Sequence, residues 1–114
     1  MTPEGRTKAR IKKVLAAYDC YVHMPVMTGY GRQELDFQCA RKRYMSGELV
    51  WELFFIEAKA HGSDPTPLQW TTINRHRALG RKVFIIDDER DSLKPKYDSL
   101  AELKKWLDFS CEST

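Results

Sequence analysis

The most apolar stretch of the chain lies at its centre, from Leu49 to Lys59. It opens with the run Leu-Val-Trp-Glu-Leu-Phe-Phe-Ile, in which Glu52 is the one charged residue. A run that is apolar at both odd and even positions is typical of a central strand that is covered on both faces. A shorter run of the same kind, Val83 to Ile86, predicts a second buried strand.

The segment from 35 to 41 has a different pattern, because apolar and polar residues alternate along it. Leu35, Phe37 and Cys39 fall on one side, and Asp36 and Gln38 fall on the other. Strict alternation predicts a strand with one buried face. Residues 20–24, which end before a proline, predict a further short strand.

Three segments have helical spacing, at 3–18, 66–79 and 99–109. Each begins with a residue that caps helices well, and two have proline at the first helical position. The start residues are Thr2 followed by Pro3, Thr66 followed by Pro67, and Ser99. The predicted inward positions are Ile11, Val14, Leu15 and Tyr18 in the first helix, Leu68, Ile73, His76 and Leu79 in the second, and Leu100, Leu103, Trp106 and Leu107 in the third.

The resulting order, α–β–β–β–α–β–α, predicts a single mixed α/β domain over residues 1–114, with a core at about 3–87 and a C-terminal helix at 99–109. The Ser46-Gly47 turn makes the second and third strands antiparallel neighbours. The helix between the third and fourth strands predicts a right-handed crossover, so that those strands are parallel. Trp51, Phe54 and Trp70 are expected in the core, with a dimer interface as the alternative.

Composition adds few constraints. The chain has 114 residues and a formal net charge of +3, which is only mildly basic. Two basic clusters, at 41–43 and at 75–82, are either solvated faces or contacts for nucleic acid. The three cysteines argue against a disulfide framework. The polar N-terminus does not resemble a signal peptide, and no apolar stretch is long enough to span a membrane. A cytoplasmic protein is therefore expected.

The end of the central strand carries the residues with the clearest chemistry. Glu57 and Lys59 share one side of the strand by alternation, and Asp36 lies on the neighbouring strand. A carboxylate in such an apolar setting is costly to bury unless it is paired or binds a metal. Two converging carboxylates favour a hard cation such as Mg²⁺ or Mn²⁺. The alternative is a simple ion pair between Glu57 and Lys59.

The sequence resembles the restriction-endonuclease-like, or PD-(D/E)XK, superfamily of nucleases. The resemblance rests on Leu-Asp-Phe at 35–37 and Phe-Ile-Glu-Ala-Lys at 55–59. Pro-Glu-Gly at 3–5, Gly-Tyr-Gly-Arg at 29–32, Pro-Leu-Gln at 67–69 and Leu-Gly-Arg-Lys-Val-Phe at 79–84 narrow it to the VRR-NUC branch, especially its stand-alone phage and bacterial members. One departure is Leu35, where the family usually has proline.

The resemblance implies a role for five residues. Asp36 and Glu57 would bind Mg²⁺ or Mn²⁺, and Lys59 would be the catalytic lysine. Glu4 matches the family's N-terminal acid, which would hold a water on the metal. Gln69 matches a glutamine near the catalytic lysine or the scissile phosphate, although Thr66 to Gln69 is also the pattern of a capping box.

Basic and aromatic residues around this set are candidates for DNA contacts, mainly to phosphates, which carry no sequence code. Alternatives remain open for two of them, since the tyrosine can cap the core and the histidine can be a loop residue without a role. The candidates are Tyr30, Arg32, His61, Arg75, Arg77 and Lys82.

The resemblance implies a structure-selective, metal-dependent DNA endonuclease that acts as a homodimer on branched DNA such as Holliday junctions. It would work in the cytoplasm of a bacterium or of a phage-infected host cell. Two alternatives stay open: a repair nuclease that trims flaps or single strands, and a non-catalytic DNA-binding module that retains the fold.

Overall fold

A computed structural model of the chain describes residues 1–26 and 34–110. Within them, three helices and four strands form in the predicted order. They are α1 (Pro3–Ala17), β1 (Tyr21–His23), β2 (Phe37–Met45), β3 (Glu48–Ala58), α2 (Pro67–Ala78), β4 (Lys82–Ile86) and α3 (Leu100–Ser110). The mixed α/β class is confirmed.

The four strands form one sheet in the order β1-β2-β3-β4. β1 and β2 are antiparallel, as are β2 and β3, whereas β3 and β4 are parallel. The predicted hairpin and the predicted parallel pairing of the third and fourth strands are therefore both confirmed. Ser46 and Gly47 have φ of 53° and 81°, and two consecutive left-handed residues suit the twist of a tight hairpin.

Helices α1 and α3 cover one face of the sheet. Ile11, Leu15, Leu103 and Leu107 are fully buried there, in a cluster that includes Phe37, Cys39, Phe54 and Ile56 from the strands. The predicted inward positions of both helices are confirmed, with Tyr18 and Trp106 partly buried at the margin. Thr2 accepts a hydrogen bond from the backbone N–H of Gly5, which confirms the predicted N-cap of α1.

Helix α2 covers the other face of the sheet, over the C-terminal part of β3, which contains Glu57. Ile73 is fully buried against Phe55, and the ring of His76 stacks on Phe55 with centroids 4.1 Å apart. The prediction for two other positions was wrong, because Leu68 and Leu79 are 52% and 64% exposed. They lie at the two ends of a short helix, beyond the part of the sheet that it covers.

Leu35 belongs to this second cluster, with Phe55, Val83 and Ile85. The prediction that it shares a face with Phe37 was wrong. β2 begins at Phe37, so the alternation of a strand does not extend back to Leu35.

The first half of β3 is not covered on both faces, contrary to the prediction. Leu49, Trp51 and Leu53 are about half exposed, and burial is complete only from Phe54 onward. β4 begins beside Phe54, so the earlier residues of β3 have no strand beside them on that edge. The expectation that Trp51 lies in the core was therefore wrong, whereas Phe54 is buried and Trp70 is partly buried.

Arg41 is not part of a solvated basic face. It is only 3% exposed, its guanidinium stacks on Trp106, and it donates hydrogen bonds to Glu52. Glu52 also accepts from Arg43 at 2.9 Å. Of the cluster at 41–43, Lys42 is the cation that no described carboxylate pairs with. Among the described residues, no helix has the length and apolar character to cross a membrane.

Candidate metal centre

Asp36 and Glu57 lie side by side at the end of β3. The antiparallel register pairs Phe37 with Ile56, and its next step places Asp36 opposite Glu57. One carboxylate oxygen of Asp36, Oδ2, accepts a hydrogen bond from the backbone N–H of Ala58 at 2.9 Å. This bond holds Asp36 against β3 although Asp36 itself precedes the first residue of β2.

Glu57 is a buried acid with an unused oxygen. The residue is 1% exposed, and its Oε2 has no hydrogen-bond partner among the described residues. Burial raises the pKa of Glu57 to about 9, and the adjoining carboxylate of Asp36 adds to the rise, while Lys59 acts against it. A group of this kind is stable when it is either protonated or bound to a cation.

Lys59 follows Glu57 by two positions, which places both on the same side of the strand. Its backbone N–H continues the parallel ladder by bonding the carbonyl of Ile86 at 2.8 Å. Its carbonyl accepts a hydrogen bond from the hydroxyl of Thr7 in α1 at 2.9 Å, in a buried position. The residue is 8% exposed, and its charge acts to lower the pKa of Glu57.

The N-terminal turn of α1 reaches the same site through Lys8. The Lys8 ammonium lies 3.4 Å from Oδ1 of Asp36 and 3.5 Å from Oε2 of Glu4. Partial burial acts to lower the pKa of Lys8, but the charges of Asp36 and Glu4 outweigh it and raise the pKa. Glu4 is thus joined to Asp36 through one ammonium.

The donor set fits Mg²⁺ or Mn²⁺ with an incomplete protein shell. Within the residues described, no group of three or more histidine, cysteine, aspartate or glutamate side chains is arranged to hold a metal ion. Mg²⁺ is often held by one or two carboxylates and completes its shell with water and substrate phosphate oxygens. The free Oε2 of Glu57 and the carboxylate of Asp36 supply such a pair.

Gln69 has a structural role in α2. Its side-chain oxygen accepts a hydrogen bond from the backbone N–H of Thr66 at 2.9 Å. The backbone N–H of Gln69 donates to the Thr66 hydroxyl at 3.2 Å. Both halves of the capping box are therefore present. A catalytic role for Gln69 stays a prediction, and its side-chain oxygen is already engaged in the capping box.

Two variants of Gln69 separate these roles. We expect Gln69→Ala to lose about 0.5–1 kcal/mol of unfolding free energy, because the backbone N–H of Thr66 loses its bond from the capping box while the Thr66 cap itself remains. Gln69→Glu keeps an acceptor oxygen and should retain both stability and DNA cleavage. Urea unfolding and a plasmid-nicking assay give the two readouts. A fully stable Gln69→Glu variant that cuts about tenfold more slowly would place Gln69 in the catalytic site.

The candidate DNA contacts are spread over several surfaces. Arg75, Arg77 and Lys82 are exposed at the far end of α2 and the start of β4, and Arg77 donates to the carbonyl of Val83. His61 lies 2.9 Å from the carbonyl of Lys94, which fits a loop residue. Tyr30 and Arg32 lie outside the described residues.

Sequence reasoning assigned no role to two α1 residues at this site, Thr7 and Lys8. Thr7 is fully buried, and it precedes Ile11 by one helical turn on the buried stripe, which was the available signal. Lys8 is one turn after Glu4, so the same spacing places it beside that acid.

Comparisons with known proteins found no relative of this chain. No protein-family model matches the chain, and neither a curated protein nor a solved structure matches it.

Proposed function

We propose that the chain is a metal-dependent DNA endonuclease of the VRR-NUC branch of the PD-(D/E)XK superfamily. One observation carries the proposal: Asp36 and Glu57 adjoin across β2 and β3 beside Lys59, with a buried Glu57 oxygen that bonds no described group. An acid pair of this kind is an expensive feature for a module that merely binds DNA.

Each residue then has a task in phosphodiester hydrolysis. Asp36 and Glu57 would hold Mg²⁺ or Mn²⁺, which supplies positive charge at the phosphate and makes water a stronger nucleophile near neutral pH. In the reaction, the oxygen of water bonds to phosphorus and one ester oxygen leaves. Lys59 places its ammonium where negative charge grows on the phosphoryl oxygens. Lys8 keeps Glu4 and Asp36 together at the edge of the site.

The proposed substrate is branched DNA such as a Holliday junction, cut by a homodimer. One site of this kind cuts one strand, so a cut in two strands requires two copies of the chain. The expected contacts are with phosphates, which select a DNA shape without reading bases. This part of the proposal comes from the family resemblance.

The test is a cleavage assay on supercoiled plasmid, four-way junctions, flaps and linear duplex. We expect cleavage with Mn²⁺ or Mg²⁺ and none in the presence of chelator. Lys59→Ala should lower the rate on the order of a hundredfold or more, because a positive charge next to the reacting phosphate is removed. Lys12→Ala, which changes an exposed lysine of α1, is the control and should cut normally.

Cleavage that continues in chelator, or that is equal in Lys59→Ala and the control, would contradict the metal-dependent mechanism. A protein that binds DNA but cuts none of these substrates would be the non-catalytic module. A preference for flaps over four-way junctions would identify a trimming nuclease.

A further inference from the structure

A groove opens beside the exposed half of β3, away from the acid pair. β4 begins at Lys82, next to Phe54, so residues 48–53 have no strand partner on that side among the described residues. The groove has a volume of about 850 Å³, and its lining includes Trp51, Leu53, Arg77, Arg81 and Lys82.

The groove is positively charged. Within the described part of the chain, no carboxylate lies at ion-pair distance from Arg77, Arg81 or Lys82. The one acid in the lining, Glu52, is already paired with Arg41 and Arg43. Arg77 donates to the carbonyl of Val83, and Arg81 lies 3.1 Å from Nδ1 of His76. The charges of Lys82 and Arg77 also act on Asp98. None of the three cations forms an ion pair with a described carboxylate, so their charge can still attract an anionic ligand.

Trp51 gives the groove an aromatic surface. The residue is 52% exposed, and Leu53 beside it is 53% exposed. The Lys42 ammonium lies 5.6 Å from the centre of the Trp51 ring, which adds a further cation. Exposed aromatic rings among cations suit nucleic-acid strands with unpaired bases, since each base can stack on the ring while the cations neutralise phosphates.

Trp51 in the groove and Glu57 in the acid pair are on one face of the same strand. Trp51 and Glu57 are six positions apart in β3, which corresponds to about 20 Å along the strand and to the same side of the sheet. That length spans about six nucleotide steps of a duplex. Helix α2 covers Phe55 between the two places, so a DNA molecule that contacts both has to pass over that helix, and six steps is the shortest separation.

We propose that this groove binds a single-stranded segment of DNA, with a base stacked on Trp51 and phosphates bonded to Arg81 and Lys82. The inference rests on the proposed nuclease function in one respect, namely that the same DNA continues to the site at Glu57. It makes the substrate a DNA with an unpaired segment at least about six steps from the scissile phosphate.

A second copy of the chain is the competing occupant, because Tyr21, Tyr44 and Leu49 are also exposed near Trp51. The charges oppose it. A symmetric dimer buries the same surface of both copies, so the cations Lys42, Arg81 and Lys82 of each copy would be brought into one interface, and the acid in the groove lining, Glu52, is already paired. Like charges in an interface disfavour association.

The experiment measures DNA binding by the full chain in chelator, which separates binding from cleavage. The probes are a fluorescent oligothymidine of about 20 nucleotides, longer than the segment that a small fold covers, and a blunt duplex of equal length. We expect Trp51→Ala to weaken binding to the oligothymidine about tenfold, with little effect on the duplex. Trp51→Phe, which keeps an aromatic ring, should retain most of the affinity.

Charge variants test the proposed bonds to phosphate. Replacing Arg81 and Lys82 together by alanine should reduce the slope of log affinity against log salt by about 0.7 for each phosphate that is no longer neutralised. Phe109→Ala removes an exposed aromatic of α3, and Lys12→Ala with Lys13→Ala removes two exposed cations of α1. Both controls should bind the oligothymidine like the wild type.

Equal binding by Trp51→Ala and Phe109→Ala, with unchanged folding by circular dichroism, would overturn the inference. So would sedimentation showing that Trp51→Ala converts a dimer to a monomer, because the surface would then be an interface. If the groove variants behave as expected but the wild type cuts no DNA with any metal, the groove stands and the proposed nuclease function fails. If the wild type cuts DNA but Trp51→Ala binds the oligothymidine like the wild type, the proposed nuclease function stands and the groove inference fails.

Discussion

Glu57→Gln should abolish DNA cleavage and at the same time stabilise the metal-free protein. Cleavage should fall on the order of a thousandfold, because an amide does not supply the negative oxygen that a divalent cation needs. In the metal-free fold, however, the carboxylate at 57 is buried and has an oxygen without a described partner. Removing an ionisable group from that position removes a cost of folding.

The stabilisation should depend on pH in a defined direction. Burial raises the pKa of Glu57 to about 9 in the folded state, whereas in the unfolded chain it is near 4.3. The folded protein then binds more protons than the unfolded chain between those values, so stability falls as pH rises across this range. We expect Glu57→Gln to lack this fall and to exceed the wild type by on the order of 2 kcal/mol at neutral pH.

Denaturant unfolding in chelator from pH 5 to 9, for wild type and Glu57→Gln, measures this difference. Mn²⁺ should reduce the alkaline loss of stability in the wild type alone, because the cation binds the ionised carboxylate. Parallel stability curves for the two proteins would show that ionisation of Glu57 does not destabilise the fold. An equal effect of Mn²⁺ on both would show that Glu57 is not a metal ligand.

Asp36→Asn and Asp36→Ala should both be inactive but should differ in stability. Each lacks one of the two carboxylates proposed to hold the cation, so cleavage should fall on the order of a thousandfold in either. The asparagine retains an oxygen that can accept from the backbone N–H of Ala58, as Oδ2 of Asp36 does. The alanine leaves that N–H without its partner, at a cost of about 1–3 kcal/mol.

The same pair tests the coupling between the two acids. The charge of Asp36 contributes to the raised pKa of Glu57, although burial is the larger cause. In Asp36→Asn, the loss of stability at alkaline pH should therefore become smaller without disappearing. The readouts are plasmid nicking and denaturant unfolding at two pH values. An active Asp36→Asn protein would remove Asp36 from the proposed centre.

Much of the architecture follows from local patterns. The apolar stripes of α1 and α3, the caps at Thr2 and Thr66, and the turn at Ser46-Gly47 specify their elements through contacts within a few residues. The hairpin register then aligns Asp36 with Glu57, because a tight turn leaves little freedom in pairing. The resemblance to the nuclease family added roles that these patterns do not carry, and those roles stay predictions.

Other features depend on which parts of the chain meet. An apolar pattern shows which side chains avoid water, but coverage of Trp51 or Leu79 depends on where α2 and β4 end in space. Likewise, the burial of Arg41 required Trp106, which is far away in the sequence. Lys8 met Asp36 through the packing of α1 against the end of β3.

The sequence alone was thus sufficient for the elements, their order and the alignment of the acid pair, since all three arise from short-range spacing and one tight turn. The burial of Glu57, the pairing of Lys8 with Asp36, and the open groove beside Trp51 were decided by the folded molecule. Burial and charge pairing are properties of neighbours in space, and distant segments become neighbours only when the chain folds.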